Sequence, residues 1–95
     1  MPLYMLACFD KANGLDLRIA TREAHLAWAA SHKDCIRRAG PMLTEEDAMT
    51  GSLLFIEAET ADEVRAFSAT DPYSKAGLFD RIEVQRFRPT LGEPL

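Results

Sequence analysis

The sequence has little of the material from which disulfide-rich, nucleic-acid-binding and membrane-spanning proteins are made. Its 95 residues include only two cysteines, Cys8 and Cys35, and no CxxC pair, which predicts buried free thiols of a reducing compartment. Lysine and arginine form no run, and the net charge is −4. We therefore expect no nucleic-acid partner.

Long apolar runs and familiar catalytic motifs are also missing. The N-terminal apolar run at residues 3–9 (LYMLACF) has no basic region before it. It is too short to cross a membrane and lacks the flanks of a signal peptide, so we expect a cytoplasmic protein without membrane association. GxSxG, HExxH, GxGxxG and P-loop motifs are absent, and we expect no cofactor.

Hydrophobic periodicity and turn residues predict a single domain over residues 1–95. Gly40 and Pro41 are expected to end a long helix, and the capping box Thr60–Glu63 is expected to begin a second one. The predicted elements are a strand at 3–9, a helix at 15–39, a short strand at 40–43, a polar connection at 44–51, a strand at 52–59, a helix from 60, a short turn at 70–77, a strand at 79–87 and a surface tail.

The order strand, helix, strand, strand, helix, strand predicts a ferredoxin-like α+β fold. In this βαββαβ plan one antiparallel sheet carries both helices on one face. Two of the strands are apolar on both sides, although two helices can cover only one side. A second copy of the sheet is the simplest cover for the bare face, so we expect a two-fold homodimer.

The long helix carries two stripes of side chains. Arg18, Arg22 and His25 are spaced i, i+4 and i+7 and therefore lie on one face. Two guanidiniums and an imidazole suit a carboxylate or phenolate ligand, and a neutral imidazole can act as a general base. A solvated polar face explains the same spacing. The second stripe, of small and apolar residues, comprises Ala20, Ala24, Ala27, Trp28, Ser31 and Cys35.

The two histidines do not predict a metal centre. His25 and His32 are about 10.5 Å apart along the helix axis, whereas one ion holds its ligands at about 2.0–2.3 Å. His32 and Cys35 are close enough in sequence to share an ion, but two ligands without a nearby third make a weak site. A solvated surface histidine is the preferred interpretation of His32, and we expect no metal.

The segment at residues 70–79 (TDPYSKAGLF) raises the question whether Asp71 caps a helix or takes part in chemistry. Asp is a preferred N-cap, Pro72 suits the first helical position, and Gly77 can end the turn. Tyr73 could donate a hydrogen bond to a ligand oxygen, although tyrosine is also a common half-buried packing residue.

Four features, in this order and spacing, resemble the YciI family, also called YCII-related proteins, over nearly the whole chain. They are the N-terminal strand followed by a loop and Arg18, the REAHL motif at 22–26, a Gly-Pro before the strand GSLLFIEAE at 51–59, and DPYSKAGLF at 71–79. The resemblance implies a dimeric α/β barrel. It also implies a His–Asp pair in a cleft, which falls on His25 and Asp71.

With the resemblance included, we expect a small cofactor-free enzyme. His25 would move a proton and Asp71 would orient it. The substrate-binding residues would be Arg18, Arg22 and Tyr73, and the ligand would be a small anionic or phenolic molecule. One branch of the family is similar to enzymes that eliminate HCl from chlorinated hydroxyquinols, which implies a lyase or isomerase. The alternatives are a non-catalytic protein that binds a small molecule and an accessory dimer.

Overall fold

The computed structural model describes all 95 residues, Met1–Leu95. Its elements are β1 (Leu3–Asp10), α1 (Leu15–Ala30), β2 (Ile36–Leu43), β3 (Met49–Glu57), α2 (Ala61–Ser68), α3 (Pro72–Lys75) and β4 (Phe79–Phe87). The strands form one sheet in the order β2-β3-β1-β4, with every neighbouring pair antiparallel. The predicted ferredoxin-like βαββαβ plan is confirmed, and α3 is the short extra turn.

Helix α1 is shorter than predicted, because the chain that follows it joins the sheet. The helix ends at Ala30 instead of Ala39, and residues 31–35 form a turn. Strand β2 then begins at Ile36, whose partner in β3 is Ile56. Pairing with β3 therefore overrides the helix propensity of this segment.

The predicted stop signal, Gly40-Pro41, lies inside β2 rather than after a helix. Strand β2 is at the edge of the sheet, where a proline is tolerated because its missing N–H need not pair. Strand β3 begins at Met49 instead of Ser52, so the polar connection is reduced to residues 44–48. Strand β4 has the predicted bounds.

The hydrophobic core lies between the sheet and helices α1 and α2. Trp28 of α1 and Phe67 of α2 pack against the same cluster, so both helices cover one face of the sheet. Thr60 accepts a hydrogen bond from the Glu63 N–H at 3.2 Å, which is the predicted N-cap of α2. The buried members of the core cluster are Tyr4, Leu6, Cys8, Leu54, Ile56, Ala58 and Val64.

Helix α1 turns a polar face inward. Its buried residues are Arg18 and His25, whereas the alanines of its small-residue stripe are exposed. Only the last part of that stripe, Trp28 and Cys35, packs against the core. Burying basic side chains is costly unless each has a partner, so the inner face of α1 is a candidate position for a functional site.

The opposite face of the sheet carries no helix. Residues 88–95 fold back over one end of this outer face, beside Phe55 and Phe87, and Arg38 donates a hydrogen bond to the Pro94 carbonyl. Half-buried apolar side chains of β1 and β3 lie on this outer face; they are Leu3, Met5, Phe9, Leu53 and Phe55. None of the helices has the length and apolar character needed to span a membrane.

Candidate active site

The structure brings His25 of α1 and Asp71 of α3 into direct contact. The Nδ1 atom of His25 lies 2.9 Å from Oδ1 of Asp71, and both side chains are buried, with 11% and 3% of their surface exposed. A carboxylate can only accept hydrogen bonds, so Nδ1 carries the hydrogen in this contact. In a neutral imidazole, Nε2 is then the free acceptor for a ligand proton.

Asp71 holds this position because it also begins α3. Its Oδ1 atom accepts a hydrogen bond from the Tyr73 backbone N–H at 2.9 Å, as an N-cap does. Pro72 occupies the first helical position, where its missing N–H costs nothing. The same oxygen therefore caps α3 and binds His25, so the capping role and the contact with the imidazole coexist.

Aromatic packing fixes the plane of the imidazole. The His25 ring stacks on Tyr73 with 4.2 Å between ring centroids and an angle of 18° between planes. Tyr73 is buried, and burial raises the pKa of its hydroxyl, although Arg18 and Arg22 act in the opposite direction. Tyr73 is expected from the sequence as a hydrogen-bond donor to a ligand; its ring in addition stacks on His25.

Arg18 forms an ion pair and hydrogen bonds within the chain through Nε and one of its two Nη atoms. Its Nε and an Nη atom donate hydrogen bonds to the two carboxylate oxygens of Asp10 at 2.7 and 2.8 Å, and the same Nη donates to Ser52 Oγ at 2.9 Å. Its guanidinium carbon also lies 4.4 Å from the centre of the Tyr73 ring. Burial alone would lower the pKa of Arg18, but the hydrogen bonds and charge of Asp10 outweigh it, and the pKa is raised.

Arg22 differs from Arg18 in having no ion pair. It is exposed, none of the five ion pairs of the chain includes it, and it lines the same pocket as His25. Asp10 neutralises Arg18, whereas the positive charge of Arg22 has no ion-pair partner within the chain.

The pocket between α1 and the β2–β3 edge has a volume of about 140 Å³. A space of this size holds one small ring or a short carboxylic acid. The polar groups on its wall are Arg18, Arg22, His25, Ser52 and Tyr73, and the remaining wall is formed by Leu26, Ala29, Ala39, Gly40, Pro41 and Met49.

A larger cavity, of about 590 Å³, lies between the C-terminal residues 89–95 and the ends of β1, β2 and β3. Its charged groups are Arg37, Glu57 and Glu93, and it contains neither histidine nor cysteine. Arg37 and Glu57 already face each other at 3.7 Å. The smaller pocket is therefore the better candidate for acid–base chemistry, because it alone combines an imidazole with a free guanidinium.

His32 lies in a different environment from the one expected. Its ring contacts Trp28 and stands edge-on to Phe67, with centroids 5.4 and 4.9 Å away, so it is half-buried rather than a solvated surface side chain. The assumption that no third ligand lies near His32 and Cys35 is also wrong, because the turn brings Asp34 to both of them.

Asp10 and Ser52 are two residues of this site that the sequence did not predict. Asp10 is the last residue of β1, and in the sequence it looks like an ordinary polar residue of the loop that follows. The signal that could have identified it is Arg18 itself, because an arginine on an inward face requires a buried acid. Ser52 pairs with Cys8 across the central strands, so its side chain points toward the helices at a position where the neighbouring strand residues are apolar.

Comparison with known proteins places the chain in a family. The model of the YCII-related domain matches residues 2–88, and the chain belongs to this family of small ferredoxin-like proteins. "Protein YciI" of Escherichia coli O6:H1 is 33% identical over an alignment 94 residues long, and the match covers 90% of this chain and 96% of that protein.

One similar protein has been solved with a ligand. It is 5-chloro-2-hydroxyhydroquinone dehydrochlorinase (TftG) from Burkholderia phenoliruptrix AC1100 in complex with 2,5-dihydroxybenzoquinone. It is 40% identical, matches with a TM-score of 0.82, and covers 90% of this chain and 93% of its own. Atu4242 of Agrobacterium tumefaciens, 16% identical with a TM-score of 0.58 over 100% of this chain and 99% of its own, supports the fold alone.

Proposed function

We propose that this protein is a small acid–base enzyme that eliminates or isomerises a small anionic or phenolic molecule in the pocket beside α1. The observation that carries the proposal is the buried contact between His25 Nδ1 and Asp71 at 2.9 Å, in a pocket that also contains the unpaired Arg22. An imidazole oriented by a carboxylate is a common arrangement for moving a proton.

His25 would accept a proton from the ligand at Nε2 and return it from the same atom. Asp71 fixes the tautomer through Nδ1 and would balance the charge of the imidazolium that forms when Nε2 takes up a proton. Tyr73 keeps the ring plane in place by stacking at 4.2 Å. The chain therefore supplies one group that both accepts and returns a proton, which is the requirement of an isomerisation or of an elimination across a ring.

Arg22 would hold the negative charge of the ligand, and Arg18 would act indirectly. A guanidinium binds a carboxylate or a phenolate oxygen through charge-assisted hydrogen bonds. Because Asp10 neutralises the charge of Arg18, and Asp10 and Ser52 bind its Nε and one Nη atom, its role would be to hold the wall of the pocket and the Tyr73 ring. This assignment refines the sequence-based expectation that both arginines bind the ligand.

The similarity to a dehydrochlorinase supports elimination of HCl as one reaction to test. In that elimination, two hydroxyls of the ring lose their protons and become carbonyls. One proton moves to the ring carbon that bears chlorine, and the other leaves with chloride, which takes the electron pair of the C–Cl bond. A single imidazole that first accepts and then returns a proton can perform the transfer to carbon.

We further propose that the chain functions as a homodimer through the outer face of the sheet. The apolar side chains of β1 and β3 on this face have no helix to cover them, and a two-fold contact between sheets would bury them. Changing Leu53 in the middle of the face to Glu should give monomers in sedimentation measurements. An unchanged mass for Leu53→Glu, or a wild type that is monomeric, would refute this proposal.

The function is tested by binding and turnover in parallel. The wild type and His25→Asn are melted with a panel of phenols, carboxylates and 2,5-dihydroxybenzoquinone, and chloride release is measured with 5-chloro-2-hydroxyhydroquinone. We expect a ligand that stabilises the wild type but not the variant, and turnover that His25→Asn abolishes. Glu23→Gln, an exposed change on the same helix, is the matched control and should behave as the wild type.

Two outcomes would contradict the enzyme proposal. A ligand that stabilises the wild type and His25→Asn equally would place binding away from His25. Ligand binding that depends on His25, without turnover of any compound in the panel, would favour the non-catalytic binding protein instead.

A further inference from the structure

The turn between α1 and β2 gathers three side chains of kinds that bind metal ions. A nitrogen of His32, a carboxylate oxygen of Asp34 and the sulfur of Cys35 all lie within 4.8 Å of one another. Ligands of a single zinc ion, at about 2.0–2.3 Å from the metal, lie roughly 3.5 Å apart in a tetrahedron. Small adjustments of these side chains, of which Asp34 is exposed and has no hydrogen bond or ion pair, would bring the three ligand atoms to this separation.

The backbone of the turn arranges these side chains before any ion binds. The N–H groups of Cys35 and Ile36 both donate hydrogen bonds to the His32 carbonyl, at 3.1 and 3.0 Å. Ile36 then enters β2, so the sheet anchors the end of the turn. Preorganisation of this kind lowers the entropy cost of gathering ligands.

The His32 ring is held in place yet keeps its nitrogens free. Phe67 stands edge-on to the ring at 4.9 Å and Trp28 lies at 5.4 Å. Neither ring nitrogen takes part in a hydrogen bond or ion pair within the chain. Packing thus restricts the imidazole without using its ligand atoms, which is what a metal-binding histidine requires.

We propose that His32, Asp34 and Cys35 bind one divalent transition-metal ion, zinc by the type of the ligands. Imidazole, carboxylate and thiolate are the three ligand classes of zinc in proteins, and three protein ligands leave a fourth position for water. The site is separate from the His25 pocket, and its existence does not depend on the proposed function.

The test uses cobalt as a coloured substitute for zinc, added to the intact protein under reducing conditions. We expect a thiolate-to-cobalt charge-transfer band with the intensity of tetrahedral coordination, which an equimolar amount of zinc removes. Cys35→Ser should abolish the band. His32→Ala and Asp34→Asn should each weaken cobalt affinity at least about tenfold, as loss of a metal-orienting group does.

Two control variants test whether cobalt binds elsewhere in the chain. Cys8→Ala removes the other thiol of the chain, and His25→Asn removes the other imidazole. Both variants should still show the charge-transfer band. The proposal is overturned if the wild type gives no band, since the turn then binds no metal. It is also overturned if His32→Ala or Asp34→Asn binds cobalt as tightly as the wild type, because the metal would then be held by the thiol without the full set of three ligands.

Discussion

Helices α1 and α2 cover the same face of one sheet, but they meet it in opposite ways. Helix α2 buries Val64, as an ordinary amphipathic helix does, together with Ser68. Helix α1 buries Arg18 and His25 and leaves apolar residues such as Ile19 and Leu26 more than 45% exposed. The comparison teaches that α2 stabilises the fold, whereas α1 gives up apolar burial to hold charged groups in a pocket.

The largest expected effect comes from breaking the buried ion pair of α1. Asp10→Asn leaves the Arg18 guanidinium buried without its counter-charge, and removing one partner of such a pair typically costs about 3–5 kcal/mol. Urea unfolding monitored by circular dichroism measures this loss. The control is Glu83→Gln, which breaks the exposed pair with Arg81 and should change stability by less than about 1 kcal/mol. If Asp10→Asn and Glu83→Gln lowered the free energy of unfolding by similar amounts, the burial of Arg18 would not depend on its ion pair with Asp10.

A smaller loss is expected on the α2 side of the comparison. Val64 is fully buried, and Val64→Ala removes two methyl groups from the core cluster, at a cost of about 2 kcal/mol. Ligand binding and turnover at the His25 pocket should persist at temperatures where the variant is folded. If Val64→Ala abolished them, the division between a structural helix and a functional helix would be wrong.

His25→Asn should show the reverse pattern, with a small change in stability and a large change in function. The substitution removes one hydrogen bond, worth about 1 kcal/mol, and Asp71 keeps its capping contact with the Tyr73 N–H. Active-site residues often contribute little to stability or even reduce it. Thermal unfolding and ligand titration on the same sample measure both quantities. A loss of stability as large as that of Val64→Ala, without loss of ligand binding, would favour the accessory-dimer interpretation.

The two helices also differ in how well the sequence predicts their bounds, because local signals define α2 and a non-local contact defines the end of α1. The capping box of α2, the order of elements and the bounds of β4 depend on local signals, and the structure agrees with them. The REAHL and DPY motifs led to His25 and Asp71 through the family resemblance. The end of α1 depends instead on a non-local contact, the pairing of Ile36 with Ile56, which helix propensity cannot report.

The residues that were missed share a physical cause. Asp10 matters because of Arg18, which is eight positions away and on a different element. Asp34 comes near His32 only because the helix ends at Ala30 and a turn follows. In both cases the local sequence is ordinary for a loop, and the partner that gives the residue its role is set by tertiary structure.

The two cysteines extend the comparison to chemical reactivity, where the expected effect on stability is smallest. Cys8 lies in β1 within the core cluster and is fully buried, while Cys35 follows α1 and is half-buried. Burial raises the pKa of the Cys8 thiol to about 12, with the charge of Asp71 adding to the effect. Because the thiolate is the reactive form, Cys8 should be inert in the folded protein at mildly alkaline pH.

Titration with dithionitrobenzoate measures this difference. We expect one reactive thiol per native chain, two after unfolding in urea, and none in native Cys35→Ser. The folded pKa of Cys8 exceeds the unfolded value of 9.0, so the folded state holds this proton more tightly. That contribution to stability is complete below pH 9 and is lost as pH rises toward 12. A second thiol that reacts in the native chain at mildly alkaline pH would mean that the core layer beneath α2 opens readily. The two helices would then differ in the chemistry of their buried residues but not in how rigidly they cover the sheet.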